Sequence, residues 1–515
     1  MNPVQLNGSD LSLDDLRQVA GGRRAVALAG AAREKVNAAR GVVDALVREN
    51  KVAYAITTGV GKLSDVRIEP AQIRQLQVNL IRSHSAGVGE PLSRDETRAM
   101  MLLRANSLAK GLSGVRVELI DLLCEMLNRG VHPLVPSQGS VGASGDLAPL
   151  AHLALAMIGE GESILELSES ARGGEPTRMS SADALRRAGL KPLVPEAKEA
   201  ISLINGTQAM LAVGTLSLLA AETLAETADV VGAMTLDALH GTDVAFDERI
   251  HAARPHAGQV KVAANLRRLI AGSQIRESHK DCGRVQDAYT LRCIPQVHGA
   301  VRDTLEFCRR TFEIEMNSAV DNPLVFAKGG AEGDVISGGN FHGQPLAFAL
   351  DYMAIALTAL GGISERRTER LVNPSLNEGL PPFLAPDAGI NSGFMLPQIT
   401  AAALASENKV LAHPASADSI TTSGNKEDYV SMGMAAAIKL KKVVANTTNI
   451  LAIEACAAAQ AIDFLAPLQT SPPLAKAHVE IRRISPKIEQ DRALAQDFAD
   501  VAKTIAAGKI AAAAD

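Results

Sequence analysis

Apolar residues recur at three- and four-residue intervals along most of the chain, the spacing of one buried face of an α-helix, while the two-residue alternation of strands is scarce. The spacing predicts a helix from Thr97 to Arg129, stopped by Gly130 and Pro133, and another from Thr207 to Leu239. A third, from Gly433 to Leu465, makes about nine turns before Pro467. The most apolar run, Pro345 to Ile363, is interrupted by Asp351 and falls short of the ~20 apolar residues of a comfortable membrane span, so it reads as a buried helix. Strand-like pieces are few and short. Gly161 to Pro195 is polar and rich in Gly, Ser and Pro, and predicts a surface excursion with a small hairpin. Alanine is plentiful in the long helices and lets their axes approach closely. The expected fold is therefore all-α, a long central helix bundle with a smaller mixed N-terminal region. The expected division is 1–200, carrying a Gly-rich loop, and 201–515, carrying the bundle.

Composition narrows the class. A chain of 515 residues has ample material for a large core. Its Lys+Arg total of 52 against 57 Asp+Glu gives a formal net charge of −5, without a basic stripe, which speaks against nucleic-acid and polybasic membrane partners and for a small-molecule one. The five cysteines are odd in number, scattered and without CxxC spacing, which argues against a disulfide framework and a structural zinc. The nearest histidine pair, His251 and His256, lacks the HExxH arrangement, so no metal is expected. The opening residues lack a basic segment followed by an apolar one, so the expected compartment is the cytoplasm.

The chemistry concentrates in "SQGSVGASGDLAP", Ser137 to Pro149, a small-residue loop running straight into an apolar helix. A phosphate cradle needs a lysine and a hydroxyl after the glycines, and Asp146 sits where the positive charge belongs. A nucleophile elbow needs glycine two before and two after the serine; Ser144 has Gly142 before it but Asp146 after it. A plain Gly-rich turn remains open. It leaves the order Ala-Ser-Gly unexplained. Attack of the Gly145 nitrogen on the Ala143 carbonyl carbon closes a five-membered ring. Loss of water from the ring and from the Ser144 side chain then leaves a methylene conjugated to carbonyls. Glycine suits the attacking position because no Cβ obstructs it. Natural side chains include no strong electrophile, so such a ring supplies what other enzymes import as a cofactor.

The stretch "GSVGASGDLAPLAHLALAMIGEG" resembles the signature of the aromatic amino acid ammonia-lyase family, the histidine, phenylalanine and tyrosine lyases. "YAITTGVGKL", "NLIRSHSAGVGEPL", "LINGTQ", "QDAYTLRC", "SAVDNPL", "SGGNFHGQP" and "LASENKVLAHPASADS" extend the resemblance over most of the chain. It implies that Ala143, Ser144 and Gly145 become 4-methylidene-imidazol-5-one (MIO) without any external cofactor. It also implies a homotetramer whose active sites draw on more than one subunit. The implied reaction removes ammonia and a β-proton from an amino acid. Tyr54 is implied as the base for that proton, with Tyr289 assisting near the ring. Arg292 offers a bidentate fork for the carboxylate; alone it is more often a structural ion pair, and the resemblance reverses that reading. Asn205, with Gln208 close behind, is placed to bond carboxylate or ring oxygen, or simply to cap a helix. Gln286 joins the substrate-binding set. Asn322 and Phe341 match positions supporting the prosthetic group; on bare sequence they are a turn residue and a core residue.

Substrate choice is carried in the family by an adjacent pair, here Ser83-His84, which resembles the histidine branch, as do Glu427 and Met395. An imidazole wants polar partners where a benzene ring wants apolar ones. The implied activity is conversion of L-histidine to urocanate and ammonia, with a tyrosine or phenylalanine lyase or an aminomutase as the alternative. Thr57, Val60, Gly343-Gln344, Lys426 and Tyr429 depart from the histidine branch, and Thr57 resembles the tyrosine and phenylalanine lyases.

Overall fold

A computed structural model of the chain describes residues 2–166, 176–280 and 282–515. It is mainly helical, as the spacing of apolar residues requires, and its sheets are small. The predicted long helices run from Gln208–Ala238 and Gly433–Phe464. The apolar run lies in Gln344–Val372, which is mostly buried but leaves Phe348, Tyr352 and Ile355 exposed along one face. By length and composition alone, this helix and Gln208–Ala238 are long enough to cross a membrane.

The helix expected from Thr97 to Arg129 is two helices, Arg94–Ala109 and Val117–Asn128. The break is at Gly111 and Gly114, both with positive φ, where a Cβ would run into Lys35 and Val43 respectively. The first of the pair starts at a capping box: Ser93 accepts from the Glu96 backbone N–H, and the Glu96 carboxylate accepts from that of Ser93. Its residues from Glu96 to Ala109 are all buried, Arg98 and Arg104 included.

Two compact units divide the chain. The first comprises Met1–Leu216, Arg309–Leu350 and Pro414–Ile438, so it takes in two segments that a cut at residue 200 does not group with it. Within it the helices Ile73–His84, Leu147–Met157 and Glu199–Ile204 pack on one another. Val4–Leu6 pairs in parallel with Val26–Leu28, and Val88–Pro91 pairs antiparallel with Pro136–Gln138. Leu324–Gly329 and Glu332–Ile336 form a hairpin. Glu162–Leu165 lies between Val131–Pro133 and Thr177–Ser180 in an antiparallel sheet, which gives the expected hairpin; residues 167–175 of that excursion lie outside the described residues. A core of Ala39, Val42, Val43, Ile56, Ile73, Ala197 and Val325 anchors the loop that follows Lys51.

The second unit comprises Ser217–Cys308, Asp351–His413 and Lys439–Asp515. Arg367 and Glu454 are both fully buried in it and joined at 2.5 Å, with Ser364 and Thr235 donating to the same carboxylate. His298 Nδ1 lies 2.8 Å from Asp229, which also accepts from Arg302. Charges this deep must be paired in one geometry, so the network sets the register of its helices.

Candidate active site

A cavity of about 660 Å3 in the first unit gathers residues that are far apart in sequence. Ser144 lies in its wall, at the tip of a loop whose backbone is compressed: Gly142, Ser144 and Gly145 have φ of 81°, 53° and 80°. A left-handed serine is costly unless its surroundings enforce it. They do. The Ser144 carbonyl accepts from Asn205 Nδ2 at 2.7 Å and from the Gly206 N–H at 3.3 Å, and the Asp146 N–H returns a 2.7 Å bond to the Gly206 carbonyl. A Cβ on Gly145 would overlap the Gly206 carbonyl, and one on Gly142 would overlap Ser431. Only hydrogen fits at both positions.

Asp146 locks the other side. Fully buried, it accepts from Ser140 Oγ at 2.8 Å and from the Met210 N–H at 2.8 Å, tying the loop to the first turn of the Gln208–Ala238 helix. Burial pushes its carboxyl up to about 6, against the opposing pull of those hydrogen bonds and of the Arg104 charge. The feature that excludes a phosphate is thus a structural clamp.

The Ser144 hydroxyl donates to Glu427 Oε1 at 2.5 Å. The other oxygen of Glu427 accepts from Thr422 Oγ1 at 3.0 Å and from Ser423 Oγ, so the carboxylate is held on both sides. The pair Ser83-His84, at the end of the Ile73–His84 helix, lines the same cavity. His84 Nδ1 is 2.8 Å from the Leu80 carbonyl, which can only accept; Nδ1 therefore carries the proton in the neutral ring, and Nε2 is the acceptor. Tyr54, Asn322 and Phe341 also line the cavity. The Tyr54 hydroxyl oxygen accepts from the Gly61 N–H at 3.3 Å. Asn322 donates to Ser337 and accepts from the Gly338 N–H, which spends its amide on holding the neighbouring loop.

Among the departures, Val60 and Lys426 line the cavity and Thr57 does not. Thr57 is buried, donating to the Lys51 carbonyl at 2.7 Å and accepting from the Ala53 N–H at 2.9 Å, so it shapes the Tyr54 loop. Tyr429 is exposed. Gln208 faces away from the chemistry: its side-chain oxygen accepts from buried Arg104. Four expected residues, Gln286, Tyr289, Arg292 and Met395, belong to the second unit, and none lines the cavity. Tyr289 is 71% exposed, with the Arg292 guanidinium carbon 4.5 Å from its ring centroid. The contacts of Asp146, Thr422 and Ser423 could not be read from the sequence, nor could the place of Lys62 in the cavity wall; their residue types are common on any surface.

A family model described as aromatic amino acid lyase matches residues 11–483. The chain belongs to the aromatic amino acid lyase family. It is 65% identical to the histidine ammonia-lyase of Koribacter versatilis, over 100% of both chains. The crystal structure of histidine ammonia-lyase from Trypanosoma cruzi superposes on this lyase with a TM-score of 0.89 at 43% identity, covering 99% of this chain and 95% of the other. Tyrosine aminomutase from Streptomyces globisporus does so with a TM-score of 0.91 at 39% identity, covering 99% and 98%.

Proposed function

We infer that this chain is a carbon–nitrogen lyase that converts L-histidine to urocanate and ammonia. The observation that carries the reading is the meeting of Ser83-His84 and Glu427 with Ser144 around one cavity, in a chain of which a histidine ammonia-lyase is a 65% identical, full-length relative. The imidazole of the substrate offers an N–H donor to His84 Nε2 and a partner to the Glu427 carboxylate, which an unsubstituted benzene ring cannot do.

The residues at the loop tip fit the ring that the family implies. After Ala143, Ser144 and Gly145 both hold left-handed backbone, Gly145 has room for no side chain, and Asn205 and Gly206 hold the Ser144 carbonyl. When formed, MIO supplies an electrophile that draws electron density from the substrate. The chain does the remaining work. We place the β-proton on the Tyr54 phenolic oxygen, where the Gly61 N–H stabilises developing charge. Asn322 and Phe341 shape the cavity wall beside the ring. Among the described residues, none that lines the cavity is an arginine able to take the substrate carboxylate. We propose that Arg292, with Gln286, Tyr289 and Met395, serves the cavity of another copy in a homotetramer; the exposure of Tyr289 and of its neighbour Val285 supports a role at a subunit contact. We propose a cytoplasmic location, which the scattered free cysteines favour.

A second reading, as a tyrosine-directed lyase or aminomutase, draws on the structural likeness to tyrosine aminomutase. Initial rates with L-histidine, L-tyrosine and L-phenylalanine, read from the ultraviolet spectra of the products, decide between them. The expected result is turnover of L-histidine alone, and preference for L-tyrosine would overturn the first reading.

A further inference from the structure

Arg104 is a fully buried cation of the first unit. It lies in the Arg94–Ala109 helix, and among the described residues no carboxylate accepts its hydrogen bonds. Its guanidinium donates from Nη1 to the Ser202 carbonyl at 3.0 Å, from Nη2 to the Asn205 carbonyl at 2.9 Å, and from Nη2 to Gln208 Oε1. Nε has no partner among the described residues. Burial brings the group down to about 10, with Asp321 and Asp146 as the charges opposing that fall. Burying a guanidinium with its Nε–H unanswered is expensive. That cost points to something the group holds in place.

The carbonyls it grips suggest what. The Asn205 carbonyl belongs to the same peptide group as the Gly206 N–H, which donates to the Ser144 carbonyl. A cation bonded to one end of a peptide group polarises it and makes the N–H at the other end a better donor. The same grip fixes the backbone of Asn205, whose side chain makes the shorter bond to that Ser144 oxygen. Gly206 is glycine because Arg104 stands there: a Cβ on it would overlap Nη2.

We propose that Arg104 is a positioning residue for self-modification of the loop, its fork holding the Ser202 and Asn205 carbonyls so that Asn205 and Gly206 polarise the Ser144 carbonyl. The inference rests on the reading that Ala143-Ser144-Gly145 condenses. In that condensation the Gly145 nitrogen bonds to the Ala143 carbonyl carbon, whose oxygen leaves as water with the Gly145 and Ser144 amide hydrogens. The Ser144 hydroxyl leaves as a second water with the Ser144 Cα hydrogen. Loss of that Cα hydrogen puts negative charge on the adjacent Ser144 carbonyl oxygen, the atom that Asn205 and Gly206 face, and donors preset at such an oxygen act where charge develops.

Arg98 provides the internal control. It is buried on the same helix and donates to the Val19, Ala20 and Leu127 carbonyls, none of them near the loop. The experiment follows the intact mass of the full-length chain from the end of a short induction, with helix content by circular dichroism, for wild type, Arg98→Met, Arg104→Gln and Arg104→Lys. Wild type and Arg98→Met lose two water molecules at the same rate, although Arg98→Met melts earlier. Arg104→Gln keeps wild-type helix content and loses them about tenfold more slowly or not at all. Arg104→Lys keeps the charge but cannot span both carbonyls, and falls between. A wild-type rate in either folded Arg104 variant overturns the inference, and Arg104→Lys carries the test alone if Arg104→Gln does not fold. A wild-type chain that keeps its full mass overturns the condensation itself, a failure visible without any variant.

Discussion

Replacing Ser144 by alanine removes one oxygen from a wall of the cavity, and among the described residues its hydrogen bond is to Glu427. Turnover should vanish while the far-ultraviolet spectrum stays unchanged, and full activity in Ser144→Ala would contradict the assignment. His84→Leu exchanges the acceptor Nε2 for an apolar group. The ratio of kcat/KM for L-histidine to that for L-tyrosine should fall by about tenfold to a hundredfold, the ~1–3 kcal/mol cost of leaving the substrate's ring N–H unpaired. Asp146 supplies a pH test. Its folded value of about 6 lies above the ordinary 3.8, so folding takes up a proton between them and stability falls as pH rises from about 4 to about 6. That difference corresponds to roughly 3 kcal/mol. The melting temperature of Asp146→Asn should therefore change less across that window than that of the wild type. That Ser144, His84, Asn205 and Glu427 meet at one cavity was legible in the sequence, because the motifs named them together. Asp146 and Arg104 were not, since spacing along a chain does not show how deep a charge lies or which backbone atoms meet it.

At the level of elements, the loop after Lys51 owes its shape to Thr57, which answers one carbonyl and one N–H within it, and to Ile56 in the core beneath. Thr57→Val leaves both backbone groups to find other partners, at about 1 kcal/mol each. Proteolysis between residues 51 and 69 should become faster and KM should rise, with the substrate ranking unchanged; an altered ranking would return Thr57 to the specificity residues. The long helices Gln208–Ala238 and Gly433–Phe464 were readable because one apolar period runs through each to a clear stop. The same cue misled between Thr97 and Arg129. There the apolar spacing continues across Gly111 and Gly114, and the break comes from close contact with Lys35 and Val43, which no local pattern contains.

For the molecule as a whole, the Arg367–Glu454 pair makes the second unit sensitive to single changes and tolerant of paired ones. Arg367→Met strands a buried carboxylate and should cost about 3–5 kcal/mol in chemical unfolding, while the double variant Arg367→Met/Glu454→Leu should recover much of the loss. If cavities are completed by another copy, co-refolding inactive Ser144→Ala with inactive Arg292→Ala should restore part of the activity, because some cavities then combine an intact loop with an intact arginine. Continued inactivity of the mixture would remove the shared-site proposal. The amide that holds the Ser144 carbonyl comes from 61 positions further along the chain, and the carboxylate that meets its hydroxyl from 283 positions further. A polypeptide still leaving the ribosome lacks both when Ser144 emerges. If the loop condenses as proposed, the newborn protein is therefore inert, its reactive centre ripens only after folding, and a chain that misfolds never becomes a stray electrophile.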